Sequence, residues 1–266
     1  MPSTLISPES HAVMRILLAC IGMAAAALAC SLSQEPTATV PYVVLTTVVV
    51  TDTPPPPQPT APAADEPCDF DLFPTEAGTS WDYVGTTSME SGYQRHDLIT
   101  TSSADGFTVV TSLPDKTLQV EYGCTEEGLI QFDPAETWGA IGFAQGGAAS
   151  MITLNQSGLS LPSDWFEGYS WPEYVEWQAV GQDTTIHGEY TFTHTAVGEE
   201  TVTVPYATLE AMLVETDLEM VINGMAFPPC QISTWWAEDI GMVKQVFACE
   251  LPPLSNTIEL VGFSPP

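Results

Sequence analysis

Positive charge is what this chain has least of. Its 266 residues include 4 Lys and Arg together and 4 His, against 34 Asp and Glu, for a formal net charge of −30. Three of the four bases, Arg95, Lys116 and Lys244, lie after Pro67, where all but five of the acids also lie. Such a field repels phosphate backbones and anionic lipid headgroups, which excludes nucleic acid as a partner. It also leaves most carboxylates without a cation, so the acids read as a solvated face with few ion pairs. Catalytic signatures are missing too. The chain has no His-Glu-x-x-His, no Cys-x-x-Cys, no Gly-x-Ser-x-Gly and no phosphate-cradling glycine loop. His187 and His194 are seven apart in one expected strand, so they point to opposite faces, as do the adjacent His96 and Asp97. Asp69-Phe70-Asp71 lacks the glycine and downstream Glu of a calcium loop. No catalytic residue, metal site or cofactor is expected.

What the chain does have begins with an export signal. Met14-Arg15 offers an alternative start carrying one positive charge, and Ile16 to Ala29 is an almost unbroken apolar run. The run is too short for a comfortable membrane span and fits the core of a signal peptide. It ends in Ala27-Leu28-Ala29-Cys30, which resembles the lipobox of bacterial lipoproteins. That resemblance implies cleavage before Cys30 and acylation of its thiol. Leu17-Leu18-Ala19-Cys20 has more usual letters, but it leaves only five residues between Met14 and its cysteine. Ser31 follows Cys30, as in lipoproteins sent by default to an outer membrane. The expected partner is therefore a membrane, reached through a lipid anchor outside the cytoplasm. Residues 1–29 are read as signal peptide.

Residues 30–66 are read as the lipidated N-terminus and a tether. Pro54 to Pro57, Pro59 and Pro62 favour extended polyproline II and withhold backbone donors. The Val- and Thr-rich run from Val40 to Val50 is too short to cross a bilayer and is read as part of an extended stalk.

From 67 to 266 the pattern becomes that of a β domain of about 200 residues, enough for one full core. Thr-, Val- and aromatic-rich runs predict strands at 81–86, 93–101, 106–112, 117–124, 128–132, 174–180, 184–196, 199–204, 208–222, 231–237, 242–249 and 256–263. Asp105-Gly106, Pro114-Asp115 and Gly198 are expected to turn the chain between them. No long apolar stripe of helical period occurs. The expected fold is mainly β: a curved antiparallel sheet or half-barrel of about 10–12 strands. An irregular loop or short-helix insertion is expected near 133–172.

Four cysteines fall in this domain. Trp235 to Ala237 and Met242-Val243 flank Glu238 to Gly241, read as a four-residue hairpin loop. If Ala237 faces Met242, then Cys230 faces Cys249, within bonding reach. An exported protein meets an oxidising setting, which favours that disulfide. By elimination Cys68 pairs with Cys124.

Three segments carry a further likeness. The stretch Asp71-Leu72-Phe73-Pro74 to Gly78-Thr79-Ser80-Trp81-Asp82-Tyr83 resembles a "YFPL-x-x-G-x-x-W-x-Y" opening. Val202 to Glu215 resembles "VTVPAGTFEALRVE", with Tyr206-Ala207 where Ala-Gly is usual, and Trp235 to Lys244 resembles "WYAPGVGLVK". Together they resemble a group of uncharacterised bacterial extracytoplasmic lipoproteins. The resemblance implies a curved sheet like that of lipoprotein-carrier half-barrels, and it assigns no catalytic residue.

Trp165, Phe166, Tyr169, Trp171, Tyr174 and Trp177 concentrate in thirteen residues. Trp165, Trp171 and Trp177 are the candidate ligand-binding residues, as walls of a cleft for sugars or an apolar ligand. Packing over the sheet is the plainer reading. The function expected is a non-catalytic β domain for binding or envelope structure. A carrier of an apolar ligand comes second and a glycan-acting hydrolase third.

Overall fold

The chain divides into two units, Met1–Gln58 and Pro59–Pro266. The structure, a computed structural model, describes Cys68, Phe70 and residues 72–88, 92–137, 150–180, 185–250 and 254–266, all in the second unit. The expected signal peptide, Cys30 and tether lie outside the described residues. No helix among the described residues is long and apolar enough to cross a membrane.

Fourteen strands form one sheet: β1 (Ser80–Thr87), β2 (Tyr93–Ser103), β3 (Gly106–Ser112), β4 (Thr117–Thr125), β5 (Gly128–Phe132), β6 (Ser150–Gly158), β7 (Leu161–Pro162), β8 (Ser170–Val180), β9 (Thr185–Thr203), β10 (Thr208–Ile222), β11 (Met225–Ala226), β12 (Cys230–Ala237), β13 (Gly241–Cys249) and β14 (Leu254–Ser264). Their order is β6-β8-β9-β10-β12-β13-β14-β1-β2-β3-β4-β5-β7, with β11 paired to β10. Every pairing is antiparallel. Two meanders, β1–β5 and β8–β14, are thus sewn together where the last strand pairs with the first. That pairing joins residues far apart in sequence, such as Tyr83 and Leu260.

The sheet is curved and not closed by a ladder. Its terminal strands β6 and β7 are consecutive in the chain, separated by Leu159 and Ser160 alone. The two ends of the sheet therefore meet at this link. Side chains bridge the seam: Gln156 Nε2 donates to the Gln131 carbonyl at 3.0 Å, and Ala135 N to Thr153 Oγ1 at 3.3 Å.

Alternation decides which residues enter the core. In β8, Trp171, Glu173, Val175, Trp177 and Ala179 are buried while their neighbours are not. The two main clusters centre on Trp81, Tyr83, Ile99 and Leu260 and on Val175, Tyr190, Phe192 and Ile232. Burying one such side chain fully is worth about 1.5–3 kcal/mol.

Four expectations need correcting in detail. Among the described residues the strands number fourteen, β7 and β11 being two residues each, against about 10–12 expected. The interval 133–172 holds a helical turn at 134–137, but it also holds β6 and β7. Gly198 does not turn the chain, because β9 runs through it, and the register slips between Leu213 and Val214 on β10. Gly198 has φ +150 beside this bulge, which bends a nineteen-residue strand without breaking it. The β12–β13 loop is one residue shorter than expected: Ala237 faces Gly241 and Trp236 faces Met242. A bulge leaves Val243 extra, so Trp235 faces Lys244 and, further on, Cys230 faces Cys249.

Both cysteine pairs are joined. Cys230 and Cys249 have Cα atoms 4.3 Å apart, and Cys68 and Cys124 6.2 Å apart.

Candidate functional site

A polar centre lies inside the curve of the sheet. Period-two alternation turns one polar residue inward from strand after strand: Asp97 on β2, Gln131 on β5, Glu173 on β8, His194 on β9 and Thr216 on β10 are all buried. On β2, Arg95 and Asp97 share a face and form a bidentate pair, Nε to Oδ1 at 2.9 Å and Nη2 to Oδ2 at 2.6 Å. The guanidinium also lies 5.4 Å from the centre of the Tyr83 ring. Burial opposes the charge of Arg95, but the Asp97 carboxylate overrides it and holds the guanidinium above its ordinary range.

Across the seam the second half of the centre assembles on Ser160. Its hydroxyl donates to Glu173 Oε1 at 3.1 Å and accepts from Gln131 N at 3.0 Å. Glu173 Oε2 lies 3.4 Å from His194 Nε2, and both side chains are about nine-tenths buried. His194 Nδ1 pairs with Thr216 Oγ1 at 2.8 Å. Burial raises the Tyr122 phenol well above its usual range; Arg95 pulls it down, and Asp97 and Glu173 push it up. The Tyr122 hydroxyl also donates to Gln131 Oε1 at 3.5 Å.

Thr216, His194 and Glu173 stand in the order hydroxyl, imidazole, carboxylate. This order is used in nucleophilic hydrolases. The rest of such a site is not assembled here. Thr216 lies mid-strand, paired with His194 on one side and Ile232 on the other, so its backbone is committed to ladders. It therefore offers no free pair of N–H groups for an oxyanion. The contact of His194 Nε2 with Glu173 also lacks hydrogen-bond geometry. The network is a packed polar core, and it binds the seam together.

Residue type and spacing alone single out neither His194 nor Glu173. The parity of β8 and β9 held the missing signal. Glu173 shares the parity of Trp171, Val175 and Trp177, and His194 that of Tyr190 and Phe192. His187, of opposite parity, is exposed. Asp97 binds Arg95 inside, while His96 pairs with Asp82 outside at 2.7 Å. Among the described residues no three His, Cys, Asp or Glu side chains are grouped to hold a metal ion.

Beside the polar centre lies an aromatic end. Trp165, in the loop between β7 and β8, meets Trp171 edge-on at 5.6 Å and Trp236 at 6.4 Å. Trp171 stacks on His194 at 5.0 Å. Trp177 is not with them. It packs on Tyr190 at 5.3 Å in the other main cluster, with its ring across Gly188. The indole N–H groups of Trp165, Trp171 and Trp177 are buried without acceptors. Of the three candidate ligand-binding residues, the structure brings two together.

No protein-family model matches the chain, and no curated protein does. Its fold is that of two solved structures, each 12% identical in sequence. One is from Bacteroides fragilis, described as an exported protein with a YmcC-like fold; the TM-score is 0.52, over 74% of this chain and 100% of that one. The other is described as a lipoprotein of Parabacteroides distasonis, with a TM-score of 0.54 over 75% of this chain and 100% of that one. The likeness defines the architecture: a YmcC-like, strongly curved antiparallel sheet.

Proposed function

We propose that the chain is an exported lipoprotein of the cell envelope, cut before Cys30, acylated there, and held at a membrane by that anchor. Residues 31–66 serve as the tether, and the β domain serves binding or envelope structure without catalysis. One observation carries this reading: the small-residue box Ala27-Leu28-Ala29-Cys30 directly after the apolar run Ile16 to Ala29. Several acyl chains on one cysteine would anchor the protein stably, since each buried CH₂ adds about 0.8 kcal/mol. Two proteins of the same fold are described as exported and as a lipoprotein, which agrees with it. Two disulfides in the β domain fit an oxidising compartment.

Mass spectrometry of the membrane-extracted protein from a bacterial host is the test. The mature N-terminal peptide is expected to begin at Cys30 with a lipid-sized mass increment, and Cys30→Ser is expected to shift the protein out of the detergent phase. An unmodified N-terminus at any other residue would overturn the reading. The carrier of an apolar ligand stands as a second reading, favoured by the half-buried aromatic end around Trp165 and Trp236.

A further inference from the structure

We propose that Asn223-Gly224 is a self-modifying site, at which the backbone nitrogen of Gly224 displaces ammonia from the Asn223 side chain and water then opens the ring to aspartate or isoaspartate. The proposal is independent of how the chain is anchored and of what the β domain binds.

The pair forms the two-residue turn between β10 and β11, where Ile222 faces Met225. Asn223 has φ 49 and Gly224 φ 76, the sense that so tight a hairpin demands. Both residues are exposed, so water reaches the reacting atoms. The reaction needs an unhindered backbone nitrogen directly after an amide side chain. Gly224 supplies it, carrying no side chain of its own in a place with nothing within 4 Å of where a Cβ would stand. The side-chain carbonyl is held by the neighbouring strand. His187 N donates to Asn223 Oδ1 at 3.1 Å, and Asn223 N donates to the His187 carbonyl at 2.8 Å. The His187 N–H therefore sits on the oxygen that gathers negative charge when Gly224 N attacks Cγ.

The steps balance with water as the one co-reactant. Gly224 N gives its proton to water and bonds to Asn223 Cγ; the Cγ–Nδ2 bond breaks, and ammonia leaves. Water then cleaves the imide at either carbonyl. Cleavage at Cγ gives aspartate, and cleavage at the backbone carbonyl gives isoaspartate; nothing is oxidised or reduced. The other two asparagines of the chain lack these parts. Asn155 precedes Gln156 in β6, and Asn256 precedes Thr257 in β14, where it is buried and donates to the Tyr93 hydroxyl at 3.0 Å.

The two products differ in structure. Aspartate keeps an oxygen where Asn223 Oδ1 stands, so His187 N keeps its acceptor. Isoaspartate routes the main chain through Cβ and Cγ, which adds an atom to a turn of fixed length and takes that acceptor away. The modified turn thereby releases the start of β9.

The test ages the full chain in mildly alkaline buffer, then reduces it and cleaves it after glutamate. The peptide Met220–Glu238 holds Asn223 as its one asparagine. It is expected to gain one mass unit about tenfold faster than the peptides carrying Asn155 and Asn256, and to accept methyl groups from protein isoaspartate methyltransferase. Gly224→Ala, which crowds the attacking nitrogen, is expected to slow the conversion about tenfold. Amide exchange at His187 is expected to quicken several-fold in the isoaspartate form and to stay unchanged in Asn223→Asp. Equal ageing of all three asparagines would overturn the proposal even if the variants do not fold. So would an unslowed Gly224→Ala, or exchange at His187 that is the same in the isoaspartate form as in the unaltered chain.

Discussion

Single residues set how this domain answers alkali. Tyr83 donates to the Met242 carbonyl at 2.9 Å, and burial pushes its phenol well above the ordinary value. Burial raises Tyr122 and Tyr190 as well. In each the folded state prefers the neutral phenol. The resulting stability is fully present below the unfolded value near pH ~10 and is lost as pH rises toward the folded values. Spectrophotometric titration should therefore show two groups among the eight tyrosines. Tyr83, Tyr122 and Tyr190 should form the later group, ionising only as the fold is lost. A single wave covering all tyrosines with the fold intact would contradict this.

Elements are where the seam matters. Gly128 opens β5 with φ +145, and a Cβ there would stand 2.2 Å from the Leu161 carbonyl of β7. Both faults act together in Gly128→Ala: a backbone conformation that L-residues resist and a collision with rigid backbone. The substitution is expected to cost about 2–4 kcal/mol and to part β7 from β5. Amide hydrogen exchange would then quicken at Leu161 and in its neighbour Leu129, ahead of β13 and β14. Uniform exchange across all strands would show that the seam is not the weak boundary. The strands themselves were largely legible, because Thr, Val and aromatic residues alternate in them and glycine or proline turns separate them. β6 escaped notice for a physical reason: its apolar residues Ile152 and Leu154 are exposed, so its pattern does not read as one buried face. Gly198 misled because a glycine with unusual φ serves bulges as well as turns. The polar centre was hidden for another reason. Local alternation marks Glu173 and His194 as inward, but only the meeting of the two sheet ends places Gln131 and Ser160 beside them.

At the scale of the whole molecule, charge is the dominant fact. The outer face of β8–β10 sets Glu176 directly opposite Glu189, with Glu215, Asp217 and Glu219 along the next strand. Like charges facing across a ladder repel, and a net −30 adds a general self-repulsion. Salt should therefore stabilise the protein. The thermal midpoint is expected to climb between about 0.01 M and 0.15 M sodium chloride, as the screening length falls from about 30 Å to about 8 Å. A flat or falling midpoint would mean that other interactions absorb the repulsion.

The bond between Cys68 and Cys124 also has a mechanical meaning. Any tension arriving along the chain ahead of Cys68 crosses a covalent link straight into β4, whose neighbours β3 and β5 share the load through their ladders. A pull from that end is therefore shared among three strands before it can load the backbone leading into β1.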